Sequence, residues 1–149
     1  MPRFSVTRRV RHPAPDMFAL VADVERYPEF VPLCRHLRIR RRVRRGEDIE
    51  VLTVEMTVAY RMIQETFTSE VSLDRSRLQI DVSYLDGPFS HMENRWIFRP
   101  LDGEASDVEF FISYEFRSRT LGLLMGTVFD AAFRRFAEAF ERRADLIYA

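Results

Sequence analysis

The chain has 149 residues, 46% of them hydrophobic, so it is long enough for one domain with a sizeable core. Its net charge at pH 7 is zero, which disfavours bulk attraction to nucleic acid. The only cysteine, Cys34, excludes an internal disulfide and a cysteine-rich zinc site. Because there is no signal peptide and no run of about 18 apolar residues, we expect a soluble, cytoplasmic chain that forms a single domain over residues 1–149.

The N-terminal part of the sequence predicts one strand and two short helices. Apolar residues at alternate positions indicate a strand over residues 3–10, closed by a turn with two prolines. A short helix opens at Asp16 or at the residue before Pro15. The prolines of the next segment, 25–32, limit it to a second short turn of helix.

Apolar residues then recur at every second position through residues 37–116, which is the period of a β-strand. Turn signals divide this region into six strands. These are predicted over the runs 37–45, 49–60, 63–73, 78–84, 92–98 and 108–116. A slip in phase between Val51 and Leu52 predicts a β-bulge in the second run, and with it a strongly curved sheet.

The last stretch, residues 118–148, predicts one long helix. It lacks proline and its apolar residues recur at helical spacing, so about 30 residues would extend about 45 Å. Gly122 and Gly126 are unfavourable inside a helix. They indicate close packing on the sheet or a later helix start, or else a soft apolar entrance that admits a lipid.

These elements predict an α+β fold in which a curved seven-stranded antiparallel sheet wraps around the long C-terminal helix. The apolar face of such a sheet needs a cover, and this helix is the only long one. Side chains either fill the space between sheet and helix or leave an apolar cavity with a few hydroxyl groups, the usual composition of a small-molecule pocket. The sequence does not distinguish a filled space from a hollow one.

Two sequence blocks and the final helix are similar to a known family. The blocks are Val24-Glu25-Arg26-Tyr27-Pro28-Glu29-Phe30-Val31-Pro32-Leu33-Cys34, and Asp86-Gly87-Pro88-Phe89 followed by Asn94-Arg95-Trp96; the helix is residues 129–143. Over essentially its whole length the chain resembles the coenzyme Q-binding subfamily of START-like domains, which also includes bacterial proteins described as ribosome association toxins. The wider superfamily includes polyketide cyclases and plant allergens.

The resemblance implies a helix-grip fold whose cavity holds a hydrophobic ligand, with a polyprenyl quinone such as ubiquinone as the leading candidate. We expect this lipid to contact aromatic and methionine side chains. The candidate ligand-binding residues are Tyr27, Phe30, Met56, Tyr60, Tyr84, Phe89, Met92, Trp96, Phe110, Tyr114, Met125, Phe129, Phe133 and Phe136. No metal and no covalently bound cofactor is expected. The turns at residues 27–30 and 87–89 either plug the sheet or, as the resemblance suggests, meet at the mouth of the cavity and gate it.

No set of residues indicates catalysis. The histidines His12, His36 and His91 are scattered over different elements, and the sequence has no phosphate loop, dinucleotide fingerprint or hydrolase motif. Cys34 and His36 could be a thiol and its base, but no third group orients them, so a structural cysteine is favoured. The resemblance adds no catalytic residues.

Seven arginines fall within residues 35–45, and all 23 basic residues of the chain are arginine. Simple strand alternation places four of them on one face, over a length of about 20 Å. These candidate surface-binding residues are Arg38, Arg40, Arg42 and Arg44. We favour a solvated outer face first, contact with anionic lipid headgroups second, and contact with an RNA backbone third.

We therefore expect a non-catalytic protein that binds and chaperones a polyprenyl quinone in support of respiratory electron transport, with peripheral contact at the inner membrane. The alternative is a ribosome-associating factor that binds subunits or RNA through the arginine-rich strand. A cyclase-type enzyme is disfavoured because an acid and base pair is missing.

Overall fold

The computed structural model describes residues 3–148 and has the predicted order of elements as far as residue 118. Strand β1 (Arg3–Val10) is followed by helix α1 (Ala14–Ala22) and a 3₁₀ helix (Val24–Glu29). Six strands come next: β2 (Cys34–Arg45), β3 (Ile49–Tyr60), β4 (Ile63–Asp74), β5 (Gln79–Asp86), β6 (Phe89–Pro100) and β7 (Ser106–Phe116). Helices α2 (Arg119–Arg134) and α3 (Phe136–Ile147) follow them.

The seven strands form one antiparallel sheet in the order β1-β7-β6-β5-β4-β3-β2, so β1 and β2 are its edges. Alternate residues of each strand face α2 and α3, and these inward residues form the core, including Leu52, Trp96 and Phe110. Register shifts in β2, β5 and β6 each insert an extra residue and bend the sheet. The predicted α+β class with a curved seven-stranded sheet is confirmed.

The prediction of one continuous C-terminal helix is wrong, because the helix is broken at Arg135. There the amide N of Arg135 donates to the carbonyl of Ala132 at 3.0 Å, three residues back, and α-helical bonding resumes when Ala139 N bonds Arg135 O at 2.9 Å. The apolar spacing continues through the break, with Phe133 and Phe136 both packed against the core. Periodicity therefore gives no sign of the interruption, which lets two shorter helices follow a curved sheet.

The predicted bulge lies in a different strand. β3 pairs with β4 without irregularity from end to end. The shifts occur in β2, between Cys34 and His36 and between Ile39 and Arg41. The phase slip in β3 has another cause: Val51 lies opposite Val43, on the face opposite buried Leu52, so apolar residues occupy both faces near this hairpin.

Three polar side-chain contacts join α3 to the rest of the fold, one of them between Arg8 of β1 and Glu141. At its C-terminal end, Asp145 Oδ1 lies 2.7 Å from His12 Nε2, just after β1. Nearer its middle, Arg143 Nη2 donates to Glu29 Oε1 at 2.5 Å, and the Arg143 guanidinium stacks over the ring of Phe30 at 5.0 Å. The hydrogen bonds from Arg143 and then Arg26 lower the pKa of Glu29.

Of the five glycines, Gly87, in the turn between β5 and β6, makes the closest approach to a neighbouring strand. Its φ is +145°, a region that side chains rarely adopt, and a Cβ there would lie 2.5 Å from the Cβ of Phe67. Gly103 also has a positive φ, +72°, but a Cβ there would meet nothing within 4 Å. A side chain at Gly103 would therefore meet only the cost of the positive φ, whereas one at Gly87 would meet that cost and a steric clash.

We expect Gly87→Ala to lower the free energy of unfolding by about 3 kcal/mol or more, since it adds a clash to an unfavourable φ. Gly103→Ala, the matched control, should cost about 1 kcal/mol from its φ alone. Urea unfolding of both variants measures the difference. Equal losses would show that the approach to Phe67 is unimportant.

Candidate functional site

An apolar cavity of ≈ 90 Å³ lies between the inward face of the sheet and helices α2 and α3. The lining residues come from the 3₁₀ helix and its connection to β2, from strands β2 to β7, and from both helices. They are Val24, Tyr27, Pro32, Leu33, Leu37, Val54, Met56, Val58, Phe67, Ser69, Val71, Ile80, Val82, Phe89, Met92, Asn94, Trp96, Ile112, Phe129, Ala132, Phe133, Phe136 and Phe140. None of these side chains carries a charge at neutral pH.

The cavity volume indicates how far side chains fill the space between the sheet and helices α2 and α3. Liquid water occupies about 30 Å³ per molecule, and a cavity of about 150 Å³ is known to hold benzene. At ≈ 90 Å³, the space between sheet and helices is mainly filled by side chains. A ring the size of a quinone can enter only when lining side chains move.

Eight of the predicted ligand-binding residues line this cavity. They are Tyr27, Met56, Phe89, Met92, Trp96, Phe129, Phe133 and Phe136. Those on strands occupy inward positions, and those on helices recur at three- and four-residue spacing. Both agree with the strand and helix periods from which they were predicted. Their contact with a ligand remains a prediction.

The other six lie elsewhere: Phe30, Tyr60, Tyr84, Phe110, Tyr114 and Met125 do not border the cavity. Phe110 packs behind Trp96, with ring centroids 4.7 Å apart. Tyr114 donates its hydroxyl to Gly126 O at 3.4 Å, and Tyr84 accepts from the amide of Phe89 at 3.1 Å. The hydroxyls of Tyr84 and Tyr114, both expected in the cavity, are thus bonded to the backbone instead.

The sequence analysis missed the polar pair in the lining, Ser69 and Asn94. Both occupy inward positions of their strands, Ser69 between Phe67 and Val71 and Asn94 beside Trp96. A polar residue at an apolar position in an alternating pattern was the signal that could have found them.

Asn94 is held in one orientation by the sheet. Its side-chain Nδ2 donates to the carbonyl of Phe111 at 2.8 Å, which leaves Oδ1 as an acceptor. The hydroxyl of Tyr27 donates to the carbonyl of Val21, and burial raises the pKa of Tyr27. Tyr27 therefore lines the cavity as a neutral side chain whose hydroxyl is already hydrogen-bonded within the protein.

The two turns expected to meet as a gate have no direct ring contact with each other. Tyr27 packs on Phe30 and Phe140, at ring separations of 6.2 Å and 5.2 Å. Phe89 packs on a different group of rings, those of Phe67, Tyr84, Tyr114, Phe116 and Phe129. The turns border one cavity and are linked only through other aromatic rings, so their expected meeting is not found in the ring contacts.

Cys34 has the surroundings of a structural thiol. It is buried, its Sγ lies 3.8 Å from the carbonyl of His36, and burial raises the pKa of the thiol to about 11. A nucleophilic cysteine needs the opposite shift. Within residues 3–148, no group of three or more histidine, cysteine, aspartate or glutamate side chains is placed to hold a metal ion.

The bulge in β2 divides the four arginines that alternation placed on one face. Arg38 pairs with Glu55 across the outer face, and Arg40, the extra residue of the bulge, also reaches Glu55, at 3.3 Å. Beyond the bulge, Arg42 lies opposite buried Leu52, on the inward side. The continuous four-residue stripe is therefore wrong.

Glutamates of β3 pair with three of the seven arginines of this strand. Arg42 Nη1 lies 3.1 Å from Glu50 Oε1, and Arg44 donates to the carbonyl of Glu47 at 2.9 Å. In the described part of the chain, the exposed residues Arg35, Arg41 and Arg45 have no carboxylate within 4.0 Å. Arg44 is bonded only to a backbone carbonyl, so the free positive charge of β2 among the described residues lies on this predicted arginine and on three that were not predicted.

The sequence profile of the polyketide cyclase / dehydrase and lipid transport family matches residues 10–141, nearly the whole chain. The chain belongs to this family. A ribosome association toxin RatA from Vibrio cholerae is 35% identical over 148 residues, which is 99% of each chain. The mitochondrial coenzyme Q-binding protein COQ10 homolog B of Xenopus laevis is 32% identical over 136 residues, covering 89% of this chain and 53% of that one.

The chain also has a fold similar to that of solved structures. The solution structure of the 18 kDa protein CC1736 from Caulobacter crescentus superposes with a TM-score of 0.79 at 33% identity, covering 99% of both chains. Together with the relatives, this confirms the resemblance to START-like coenzyme Q-binding proteins and ribosome association toxins. No helix among the described residues combines the length and apolar character needed to cross a membrane.

Proposed function

We propose that the protein binds a hydrophobic small molecule of the isoprenoid quinone class between the sheet and helices α2 and α3. The observation that supports this best is the composition of the cavity wall. It is apolar apart from the tyrosine hydroxyl that bonds Val21 and the pair Ser69 and Asn94. An apolar wall with a few placed polar groups is typical of small-molecule sites. A ligand of this class would serve respiratory electron transport.

Binding requires the wall to open, and the wall contains side chains suited to that. Met56 and Met92 are unbranched and can change rotamer at low cost. Leu33, between the 3₁₀ helix and β2, has a φ of 67°, an unfavourable conformation for leucine. Movement of this connection would relieve the backbone strain while enlarging the cavity at Leu33 and Pro32.

The polar pair gives the site a means to orient a ring. Asn94 Oδ1 can accept a hydrogen bond from a quinol hydroxyl, because its amide is already engaged by Phe111. The hydroxyl of Ser69 can donate to a quinone carbonyl. The two residues together suit either redox form of the ring. Since the wall has no carboxylate, histidine, lysine or arginine, the proposed role is binding and delivery without acid-base chemistry.

The test is to fill the cavity from Ala132, a buried wall residue of α2. We expect Ala132→Leu to reduce co-purifying ubiquinone at least about tenfold, because the larger side chain occupies the space the ring needs. Ala131→Leu is the matched control: it lies one position along the same helix and is exposed. Organic extracts of each protein, made in a host that synthesises ubiquinone, are quantified by mass spectrometry.

Thermal unfolding confirms that each variant is folded, and Ala132→Val provides a smaller filling if leucine overpacks the site. Wild-type protein that is folded and carries no quinone or other lipid would contradict the proposal. So would equal ligand content in the Ala132 and Ala131 variants.

A second function is favoured by the exposed arginines of β2 together with the ribosome association toxin relatives. We propose as this alternative that Arg35, Arg41 and Arg45 contact ribosomal RNA. Each lies on the edge strand without a carboxylate within 4.0 Å in the described chain. Phosphate contacts of this kind depend on arginine charge and weaken with salt.

On this alternative, we expect Arg41→Glu with Arg45→Glu to reduce binding to purified ribosomal subunits by about tenfold or more at low salt. The control pair, Arg11→Glu with Arg135→Glu, makes the same charge change at exposed positions outside β2. Sedimentation of subunits with each protein measures binding. The same loss in both pairs would indicate a general charge effect and would reject β2 as the contact surface.

A further inference from the structure

Several large apolar side chains are exposed at one end of the molecule. The exposed fraction is 98% for Met62, 81% for Leu123, 61% for Leu124 and 53% for Leu85. Scattered exposed leucines are ordinary, but a group on neighbouring turns marks an interaction surface. These four residues belong to the β3–β4 turn, to the start of α2 and to the last part of β5.

The topology brings these segments together. β3, β5 and β7 end where β4 and β6 begin, so the β3–β4 turn, the β5–β6 turn and the start of α2 share one end of the sheet. An open groove of ≈ 480 Å³ runs between them. Its walls are Ile63, Glu65, Pro88, Arg117, Ser118, Thr120, Leu121 and Leu124. We refer to this groove with Met62, Leu85 and Leu123 as the apolar end.

Positive charge is distributed around the apolar end. Arg61, Arg117 and Arg119 are exposed there, and none has a carboxylate within 4.0 Å among the described residues. The acidic residues at the same end are Glu65, Asp86 and Glu115. The two signs balance in number, but the arginines flank the protruding apolar side chains directly, Arg61 beside Met62 and Arg119 in the first turn of α2.

We propose that the apolar end docks on the surface of an anionic lipid bilayer. Met62 and Leu123 protrude from a turn and from the first turns of a helix, so they can insert between headgroups without rearrangement of the fold. The three arginines lie beside them and complement anionic headgroups. A flat protein partner would leave such protruding side chains poorly packed, whereas a bilayer accommodates them.

The local backbone supports a role for the β3–β4 turn. Its first residue, Arg61, has a φ of 56°, in a two-residue hairpin position where glycine is preferred. Strain of this kind is common at functional segments. The turn is also tied to the cavity wall, since Ala59 N donates to Leu33 O at 3.0 Å and Leu33 lines the cavity. A docked bilayer would therefore lie close to the connection that can open.

The first experiment measures co-sedimentation of the full chain with vesicles of phosphatidylcholine alone and of phosphatidylcholine with phosphatidylglycerol. Wild type should bind the anionic vesicles, and Met62→Ser with Leu123→Ser should reduce partitioning by about tenfold or more. Both residues are exposed, so folding should be unaffected. The matched control is Leu146→Ser with Ile147→Ser at the end of α3, where Leu146 is 76% exposed. It should bind as wild type does.

The second experiment locates the charge contribution. Arg61→Glu with Arg119→Glu should weaken binding to the anionic vesicles by about tenfold, and added salt should weaken binding of the wild type. Arg41→Glu with Arg45→Glu, on β2, should leave it unchanged. If only the β2 pair lost binding, the arginine-rich strand would be the docking surface and the proposal would be rejected.

Two further outcomes would overturn the proposal. One is wild-type protein that does not bind phosphatidylglycerol vesicles at low salt. The other is a protein dimer, seen by sedimentation equilibrium, that the Met62 and Leu123 changes dissociate while vesicle binding stays as it was. Docking is separable from ligand binding, because Ala132→Leu should still sediment with vesicles whether or not the cavity binds quinone.

Discussion

Burial of a single face of the antiparallel sheet is the constraint on which the rest of the structure depends. Seven strands present alternate apolar residues to one side, and helices α1, α2 and α3 cover them. Because the sheet is bent by bulges, a straight helix would leave part of it open, and the break at Arg135 allows two shorter covers. Aromatic clusters around Phe89 and Phe140 fill the space on either side of the cavity.

Most of the fold followed from periodicity, whereas bulges and breaks did not. Period two located six strands after β1 because each has one inward face. Ser118, predicted as the first helical residue, is the N-cap one position before α2. The interruption at Arg135 was invisible because the phenylalanine spacing continues through it. The bulge at Arg40 was assigned to the wrong strand for a related reason. In a run of arginines, apolar and polar residues do not alternate, so an extra residue leaves no mark in the pattern. The helix break and the bulge both depend on contacts between distant parts of the chain, which periodicity does not encode.

The candidate site was predicted as far as alternation determines it. Inward strand residues such as Met92 and Trp96 line the cavity, but depth along the strand is not encoded in the pattern, so Phe110 and Tyr114 were included although they pack behind the wall. The same limit applies to surface charge. Three of the four predicted arginines of β2 are paired with Glu50 or Glu55, which come from a neighbouring strand that the pattern of β2 does not reveal. The apolar interior, β2 and the apolar end are three separate surfaces, and each can be changed without altering the other two.

Trp96 offers the most direct test of the central claim, that the filled interior opens to admit an isoprenoid quinone. It is the only tryptophan and lines the cavity. Titration with a short-chain ubiquinone should quench its fluorescence until one equivalent is bound, with Ala132→Leu unaffected and free tryptophan as the control for light absorption by the quinone. Folded protein whose Trp96 emission falls no more than that of free tryptophan would contradict the account.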